Sequence, residues 1–351
     1  MDNLALIDTL IKEKRLTLEE LSHLIETCSD EELAYASKKA QEISKQIFGN
    51  KVYIRGIIEF SNFCRNNCLY CGIRAGNTNL KRYRLTEEQI LSCCESGYTY
   101  GYRTFVLQSG EDPYYDDNRL CQLVEKIKNR YPDCAITLSL GERSYDSYKK
   151  LKEAGADRYL LRHETADEDH YHLLHPKELS FKNRMECLQN LKSLGYQVGC
   201  GFMVGSPYQT PRCLAKDLLF IADFKPHMVG IGPFIPHNAT PFKDKPSGTL
   251  KQTLLMLSLI RITLPDVLLP ATTALGTIDP QGREKGILAG ANVMMPNLSP
   301  TEVRKLYLLY DNKICTTEQS EQCRFCLEQR MELIGYKVVV GRGDSSRLQQ
   351  N

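Results

Sequence analysis

The residues best suited to chemistry are three cysteines in the segment FSNFCRNNCLYCGIR. Cys64, Cys68 and Cys71 follow a C-x3-C-x2-C spacing. Three thiolates so close in the chain can bind one face of a cubane iron–sulfur cluster, and three ligands for four irons leave one iron free to bind a small molecule. A structural zinc site is the alternative, but zinc prefers four protein ligands, and no fourth cysteine or histidine lies in this loop. The spacing therefore favours an iron–sulfur cluster with one open iron.

A second group of cysteines lies near the C-terminus, in the segment KICTTEQSEQCRFCLEQ. Cys315, Cys323 and Cys326 have a C-x7-C-x2-C spacing, which again supplies only three ligands. The group predicts an auxiliary metal site, either an iron–sulfur cluster or a zinc site completed by an outside ligand. The other eight cysteines show no metal-like spacing and are predicted to be small buried hydrophobes: Cys28, Cys93, Cys94, Cys121, Cys134, Cys187, Cys200 and Cys213.

Composition narrows the class of protein in which these cysteines act. The 351 residues include 45 basic and 43 acidic side chains, a net charge of +2. This balance argues against a nucleic-acid binder that relies on bulk charge. The charged N-terminus and the lack of an apolar run of about 18 residues predict neither a secretory signal nor a membrane span. We therefore expect a cytoplasmic protein, in whose reducing surroundings clustered cysteines bind metal more often than they form disulfides.

The elements that must position the first cysteine group follow from periodicity. Residues 1–50 have apolar positions at helical spacing, and Thr17 three residues before Glu20 predicts a capping box. From residue 51, short β-branched or apolar runs alternate with amphipathic helical segments. The runs are Val52 to Phe60, Thr104 to Leu107, Ala135 to Leu140, Arg158 to Leu161, Gln197 to Val204, Met228 to Ile231, Leu268 to Ala271 and Ala291 to Met294. The helical segments include Glu87 to Glu95, Asn118 to Arg130, Tyr145 to Glu153, Phe181 to Leu194 and Leu250 to Thr263.

Eight strands alternating with helices predict the α/β class and a (β/α)8 TIM-type barrel over residues 51–300. The N-terminal helices of residues 1–50 would pack on this barrel. Residues 301–351 would form a helical extension that carries the second cysteine group, with a polar tail that frays. Chemistry in such barrels lies at the C-terminal ends of the strands, where the first cysteine group is found.

The segment CRNNCLYC, with the aromatic Tyr70 before its last cysteine, resembles the signature of the radical S-adenosylmethionine (radical SAM) enzymes. The resemblance covers residues 51 to about 300. It implies that Cys64, Cys68 and Cys71 hold a 4Fe-4S cluster whose fourth iron binds the amino and carboxylate groups of S-adenosylmethionine. It also implies the activity of that family, in which the reduced cluster cleaves the sulfonium and a 5′-deoxyadenosyl radical forms.

The same resemblance assigns roles to polar residues that follow the predicted strands. The QSGE segment occupies the place of the family's GGE-like segment, which contacts the methionine amino group. A carboxylate such as Glu164 can hold the ribose hydroxyls, and Arg184 can pair with the methionine carboxylate. An ion pair along the strand is the alternative for Arg162 and Glu164, and His163 between them is expected to point away. The predicted cofactor-binding residues are Tyr70, Gln108, Ser109, Gly110, Glu111, Thr137, Ser139, Arg162, Glu164 and Arg184.

Longer phrases resemble one family of FeFe-hydrogenase maturases, the HydE family. They include LQSGEDPYY, AGADRYLLRHETA, MVGIGPFIPH, LPATTALGTI and GANVMMPN. This resemblance implies action on a sulfur-bearing, cysteine-ligated iron carbonyl–cyanide compound and transient contact with the maturases HydG and HydF. It also implies an auxiliary 2Fe-2S cluster at the second cysteine group, as an optional site that the family can lose without losing activity. Biotin synthases and methylornithine synthases share the barrel and the cysteine signature, so an organic substrate remains an alternative. A non-enzymatic metal-binding scaffold is a second alternative.

An anionic, cyanide-bearing substrate would need cationic and hydroxyl donors inside the barrel. Arg55 on the first strand and Thr272 and Thr273 after the seventh meet this requirement. Four further candidates have the alternative reading of ordinary packing or loop capping: Met203, His237, Thr277 and Tyr307.

Overall fold

The computed structural model describes residues 2–317 and 320–350, with the side chains of residues 320–323, 349 and 350 outside the described part. The helices are α1 (Asn3–Glu13), α2 (Leu18–Thr27), α3 (Asp30–Phe48), α4 (Glu87–Thr99), α5 (Asp117–Arg130), α6 (Tyr145–Glu153), α7 (Glu168–Leu174), α8 (Phe181–Ser193), α9 (Pro211–Phe224), α10 (Leu250–Thr263), α11 (Thr273–Ile278), α12 (Gly282–Leu288), α13 (Thr301–Arg304) and α14 (Ser320–Leu333). The strands are β1 (Lys51–Ile54), β2 (Gly56–Ser61), β3 (Thr104–Ser109), β4 (Ala135–Ser139), β5 (Arg158–Leu160), β6 (Gln197–Cys200), β7 (Met203–Val204), β8 (Met228–Val229), β9 (Gly232–Pro233), β10 (Val293–Met294) and β11 (Lys337–Val339).

A six-stranded parallel sheet forms the centre of the molecule, in the order β2-β3-β4-β5-β6-β8. Helices follow its strands, so the predicted α/β class is confirmed. Beyond β8 the described residues continue the pairing through isolated bridges: Met228 to Leu268, Pro270 to Val293 and Ile57 to Asn297. The predicted strand over Leu268 to Ala271 is therefore wrong, because these described residues form bridges instead of a regular ladder.

Two predicted strands are each divided in the structure. The run Val52 to Phe60 breaks at Arg55, so that β1 pairs with β10 and β11 in a separate small sheet while β2 opens the central sheet. The run Gln197 to Val204 divides into β6 and β7, and β7 pairs with β9. An apolar run does not reveal such a break, because the backbone can change partners without any change in side-chain polarity.

The N-terminal helices pack on the outer helical layer. α2 lies against α9, and α3 lies against α10. Thr17 and Glu20 form the predicted capping box, in which the Glu20 carboxylate accepts the Thr17 backbone N–H at 2.8 Å. Among the described residues, no helix combines the length and apolar character needed to cross a membrane.

The C-terminal tail does not fray over residues 342–347, contrary to the expectation from its polarity. Arg342 and Asp344 bond each other and the strand residue Arg158, whose side chain is fully buried. Ser345 is buried, and Arg347 forms an ion pair with Asp266. The tail therefore seals the amino-terminal edge of the central strands, the edge opposite the cysteine loop.

Candidate active site

A cavity of about 360 Å³ opens where the central strands end. It brings together the first cysteine group, every residue predicted from the resemblance to contact the cofactor, and most of those predicted for the substrate. The predicted residues that line it are Arg55, Cys64, Cys68, Tyr70, Cys71, Gln108, Ser109, Gly110, Glu111, Thr137, Ser139, Arg162, Glu164, Arg184, Met203, Thr272, Thr273 and Tyr307. Residues far apart in the chain thus line one cavity.

Backbone hydrogen bonds from three separate segments hold the cysteine loop. Arg65 N–H donates to the Glu111 carbonyl at 3.0 Å, and Leu69 N–H donates to the Leu174 carbonyl at 3.0 Å. Gly72 N–H donates to the Leu309 carbonyl at 2.9 Å. The loop lacks regular secondary structure, so these bonds to its surroundings determine where the three thiols lie.

Burial raises the pKa of all three thiols in the loop, to about 12 for Cys68. The thiolate is the form that binds metal, so metal binding here releases protons. In the part of the chain that the structure describes, no three Cys, His, Asp or Glu side chains converge closely enough to hold a single metal ion.

Gly110 allows the loop after β3 to approach the cysteine loop. A Cβ atom at this position would overlap the Phe63 carbonyl and the Cys64 side chain. Only glycine therefore lets the Ser109–Glu111 backbone lie directly beside the first thiol. This close approach brings the predicted methionine-binding segment next to the predicted cluster ligands.

Several buried polar atoms in the cavity wall lack a hydrogen-bond partner among the described residues. They include Thr137 Oγ1, Arg162 Nε, Glu164 Oε2 and Thr272 Oγ1. Burying such groups unpaired costs about 1–3 kcal/mol each, so sites of this kind are normally completed by a ligand. Arg162 and Glu164 also lie 3.4 Å apart as the ion pair considered from the sequence. The ion pair therefore leaves Arg162 and Glu164 able to form further hydrogen bonds with a ligand in the cavity. This fits a polar ligand such as S-adenosylmethionine.

Arg184 is held in place by a residue that sequence reasoning missed. Its Nε bonds the Glu142 carboxylate, and its Nη1 donates to the Arg162 carbonyl at 2.8 Å. The guanidinium is almost fully buried, with 8% of its side chain exposed. Glu142 lies three residues after the end of β4, and a carboxylate just past a strand end was the signal that could have identified it. Only the remaining N–H groups of Arg184 are available to a carboxylate ligand.

Tyr70 is positioned by His175, at the end of α7. Burial lowers the pKa of His175 to about 3, so the ring is neutral near pH 7. Its Nδ1 lies 3.0 Å from the Tyr171 carbonyl and donates to it, which leaves Nε2 to accept the Tyr70 hydroxyl at 3.1 Å. The ring of Tyr171 stacks on His175 at 3.9 Å. The Tyr70 side chain in the cysteine loop is therefore fixed by packing and by a hydrogen bond.

A second missed feature is a buried ion pair in the cavity wall. Lys313 Nζ lies 2.5 Å from Glu59 Oε1 and donates to the Tyr307 carbonyl at 3.1 Å. Asn297 Nδ2 donates to the other Glu59 oxygen at 2.8 Å. Glu59 interrupts an apolar strand, which was a usable signal. Its partner comes from 254 positions away, so nothing in the local sequence indicates the pairing.

The predicted substrate residues divide into those that line the cavity, among them Arg55, and two that do not. Arg55 is fully buried, and burial followed by the neighbouring Arg158 lowers its pKa well below the usual value. Its Nη1 contacts Met228 Sδ at 2.7 Å, and its Nε has no partner among the described residues. By contrast, Thr277 and His237 are not among the described residues that line the cavity. Thr277 bonds the Thr273 carbonyl within α11, and the ring of His237 packs against Gly72.

Replacing Gly72 with alanine is expected to reduce the iron content of reconstituted protein to less than about half. A Cβ atom there would overlap the Leu308 carbonyl and the His237 ring, so the chain next to Cys71 must shift. A metal ligand displaced by about 1 Å no longer completes its site. Gly76→Ala is the matched control, because its Cβ would meet only the flexible end of Asn67, at 2.8 Å. Iron and sulfide analysis measures both, and equal iron in the two variants would contradict this role of Gly72.

The second cysteine group is only partly described. Cys315 is half-buried and Cys326 is exposed, whereas the side chain of Cys323 lies outside the described residues. Of the eight cysteines predicted to be structural, all but the half-buried Cys121 are buried, as expected. The auxiliary site therefore stays a prediction from its spacing.

Comparison with known proteins identifies the relatives of this chain. Residues 58–221 match the model of the Radical SAM superfamily. The chain is 52% identical over 300 residues to the [FeFe] hydrogenase maturase subunit HydE of Thermotoga maritima, covering 86% of this chain and 85% of that protein. It is 30% identical over 289 residues to a 3-methylornithine synthase of Methanosarcina acetivorans, covering 82% and 81% respectively. The crystal structure of a methylornithine synthase superposes with a TM-score of 0.83 at 28% identity, over 95% of this chain and 97% of that one.

Proposed function

The chain belongs to the radical SAM superfamily and, within it, to the HydE maturases, and from this premise we propose that it acts on an iron carbonyl–cyanide compound during assembly of the diiron subcluster of FeFe hydrogenase. The observation that supports the proposal most directly is the cavity. Its wall carries three thiols, polar atoms without hydrogen-bond partners among the described residues on β4 and just after β5, and the buried guanidinium of Arg55. The lining of this cavity suits both an anionic small molecule and a polar cofactor.

When bound, a reduced 4Fe-4S cluster and S-adenosylmethionine supply a 5′-deoxyadenosyl radical. Cys64, Cys68 and Cys71 would hold the cluster. Backbone and side-chain groups of Gln108–Glu111 would bind the methionine amino group, and Arg184, fixed by Glu142, would offer its free N–H groups to the carboxylate. Thr137, Ser139 and Glu164 would bind the ribose side, since all three line the cavity, and Thr137 Oγ1 and Glu164 Oε2 have no hydrogen bond among the described residues.

The opposite part of the wall would bind the substrate. Arg55 is a buried cation whose described contacts are a thioether sulfur and one carbonyl at 3.4 Å, so an anion in the cavity would satisfy it. The Thr272 hydroxyl is unpaired and can donate to cyanide or carboxylate acceptors, and Thr273, Met203 and Tyr307 complete the wall. Thr277 is left out, because it does not reach the cavity. The substrate sulfur is the atom we expect the radical to attack.

A methylornithine-synthase-like reaction on an organic substrate is the second candidate, favoured by the 30% identity over most of the chain. Anaerobically reconstituted protein should show a 4Fe-4S electron paramagnetic resonance (EPR) signal that changes when S-adenosylmethionine is added. We expect 5′-deoxyadenosine above background with the cysteine-bound iron carbonyl–cyanide compound, and not with lysine or dethiobiotin. Turnover of lysine or dethiobiotin instead would overturn the proposed substrate. Two zinc ions per chain without iron would favour the metal-scaffold alternative.

Four finer features complete the proposal. The auxiliary cluster and the partners rest on the family resemblance, and the location and the segment bounds rest on the sequence pattern. The group Cys315, Cys323 and Cys326 would hold an auxiliary 2Fe-2S cluster, with a fourth ligand that the sequence does not nominate. The protein would act in the cytoplasm and contact the maturases HydG and HydF transiently. The 1–50, 51–300 and 301–351 segments would serve as helical support, catalytic domain and cluster-bearing extension.

A further inference from the structure

His163 lies between two cavity residues, Arg162 and Glu164, but its side chain is buried on the other side of the chain. The ring is 0% exposed and packs against Phe202 and Phe220, with ring centroids 5.8 and 4.8 Å away. Its Nε2 lies 3.1 Å from Oδ1 of Asp217 on α9, which is also 0% exposed. The predicted outward orientation of His163 is thus confirmed, and it ends in a buried histidine–aspartate pair that the cofactor contacts do not explain.

Hydrogen bonds define which ring nitrogen carries the proton. The Gly201 N–H donates to His163 Nδ1 at 3.3 Å, so the proton of the neutral ring is on Nε2, which donates to Asp217. Burial lowers the pKa of His163 to about 3, in agreement with a neutral ring. Asp217 Oδ1 also accepts the Ala166 N–H at 2.6 Å. The pair therefore ties the chain on both sides of Glu164 to β6 and α9.

Glu164 itself has an unfavourable backbone conformation. Its φ is +67°, in the left-handed region that residues other than glycine, asparagine and aspartate seldom adopt. Its N–H donates to the Gly201 carbonyl at 3.0 Å. A strained residue of this kind persists only where its surroundings hold it, and such residues concentrate at functional sites. Besides this bond of its own, two further anchors hold the segment, one at His163, just before Glu164, and one at Ala166, two residues after it.

We propose that His163 and Asp217 are positioning residues that keep Arg162 and Glu164 in the conformation that binds S-adenosylmethionine. The inference rests on the proposed function, because it takes Glu164 as a cofactor ligand. Without the pair, the 163–166 segment can relax out of the left-handed conformation. The Glu164 carboxylate and the Arg162 guanidinium would then leave their places in the cavity wall, while the cysteine loop, which is held by other segments, would stay in place.

The test compares two disruptive variants with one conservative variant. His163→Phe keeps the aromatic packing and removes both ring hydrogen bonds, and Asp217→Leu removes the shared acceptor. Each should raise the dissociation constant of S-adenosylmethionine about tenfold or more, measured by equilibrium dialysis with anaerobically reconstituted protein. Asp217→Asn retains an oxygen acceptor and should bind within about twofold of wild type. The EPR signal recorded without S-adenosylmethionine should be unchanged in all three.

The control for a general loss of stability is Tyr196→Phe, which removes a buried hydrogen bond of 2.7 Å to the Tyr148 carbonyl, outside the cavity. Its affinity for S-adenosylmethionine should equal that of wild type. The double variant His163→Phe/Asp217→Leu should bind S-adenosylmethionine with the same affinity as whichever single variant binds it less tightly. The two substitutions disrupt the same hydrogen-bond network, so their effects should not add. Wild-type affinity in His163→Phe or Asp217→Leu, or equal losses in Tyr196→Phe, would overturn the positioning role. Failure of wild-type protein to bind S-adenosylmethionine would instead refute the proposed function.

Discussion

Cys68→Ala is expected to abolish formation of 5′-deoxyadenosine while the protein remains folded. Cys68 supplies one of three thiols in the cavity, and two thiols cannot hold a cubane cluster that already lacks one protein ligand. The loss should exceed the roughly 10–100-fold decreases seen when only the outer hydrogen-bond partners of metal ligands are removed. The side chain is half-buried, so its truncation leaves little cavity. Product is measured by chromatography, and the cluster by iron content and EPR.

Cys121→Ala provides the matched control, because this cysteine is also half-buried but lies on α5, away from the cavity. It should retain wild-type iron content and product formation. A Cys68→Ala protein with a normal EPR signal and normal product would show that the cluster is held elsewhere. The second cysteine group would then be the first place to look for the ligands.

The part of the cavity wall that is predicted to bind the cofactor could be located from the sequence, because its position follows from local order. Cys64, Ser109, Ser139 and Glu164 each lie at or just after the end of a central strand, and parallel strands bring their carboxyl ends to one edge. The alternation of strands and helices is itself local, and α6 and α10 have the predicted bounds. The alternation and the motif together therefore located most of the lining residues.

What could not be predicted depends on contacts between distant segments. Lys313 reaches Glu59, and Glu142 reaches Arg184, through pairings that no periodicity encodes. The tail was expected to fray because it is polar, yet its polarity is matched by the buried Arg158. A charged segment looks the same in sequence whether its partner is water or a buried ion. The same limit explains the undetected break at Arg55, which lies in an otherwise ordinary strand pattern.

Asp344→Ala is expected to lower the free energy of unfolding by about 3 kcal/mol, the lower end of the range for breaking a buried ion pair. Asp344 Oδ1 lies 2.6 Å from Nη2 of Arg158, whose side chain is 0% exposed. The same carboxylate accepts Arg342 Nε at 2.7 Å and Gln197 Nε2 at 2.8 Å. Its removal leaves a fully buried guanidinium without its nearest carboxylate, and the low end applies because Asp344 is a quarter exposed.

Chemical denaturation at pH 7 measures this loss, with Asp133→Ala as the control. Asp133 pairs with Arg103 at 2.9 Å, but half of its side chain is exposed. Exposed pairs contribute about 0–1 kcal/mol, so the control should change stability by no more than that. Equal losses in both variants would mean that the tail does not seal the strand edge through Arg158. A small loss in Asp344→Ala alone would mean that Asp157 or water replaces the missing carboxylate.

The contribution of Asp344 should also depend on pH in a direction that the structure defines. Burial opposes ionisation, but the bonds from Arg342, Arg158 and Gln197 outweigh it and hold the pKa of the Asp344 carboxyl well below its usual range. A carboxyl with a lowered pKa in the folded state stabilises the protein fully above its unfolded pKa of about 3.9 and loses that contribution as the pH falls further. The stability difference between wild type and Asp344→Asn should therefore be constant from about pH 5 to 8 and shrink below about pH 4. Carboxyls outside this network, such as the half-buried Asp266, titrate alike in both proteins and cancel in the difference. A difference that instead grew on acidification would show that Asp344 is not the ionised partner of Arg158.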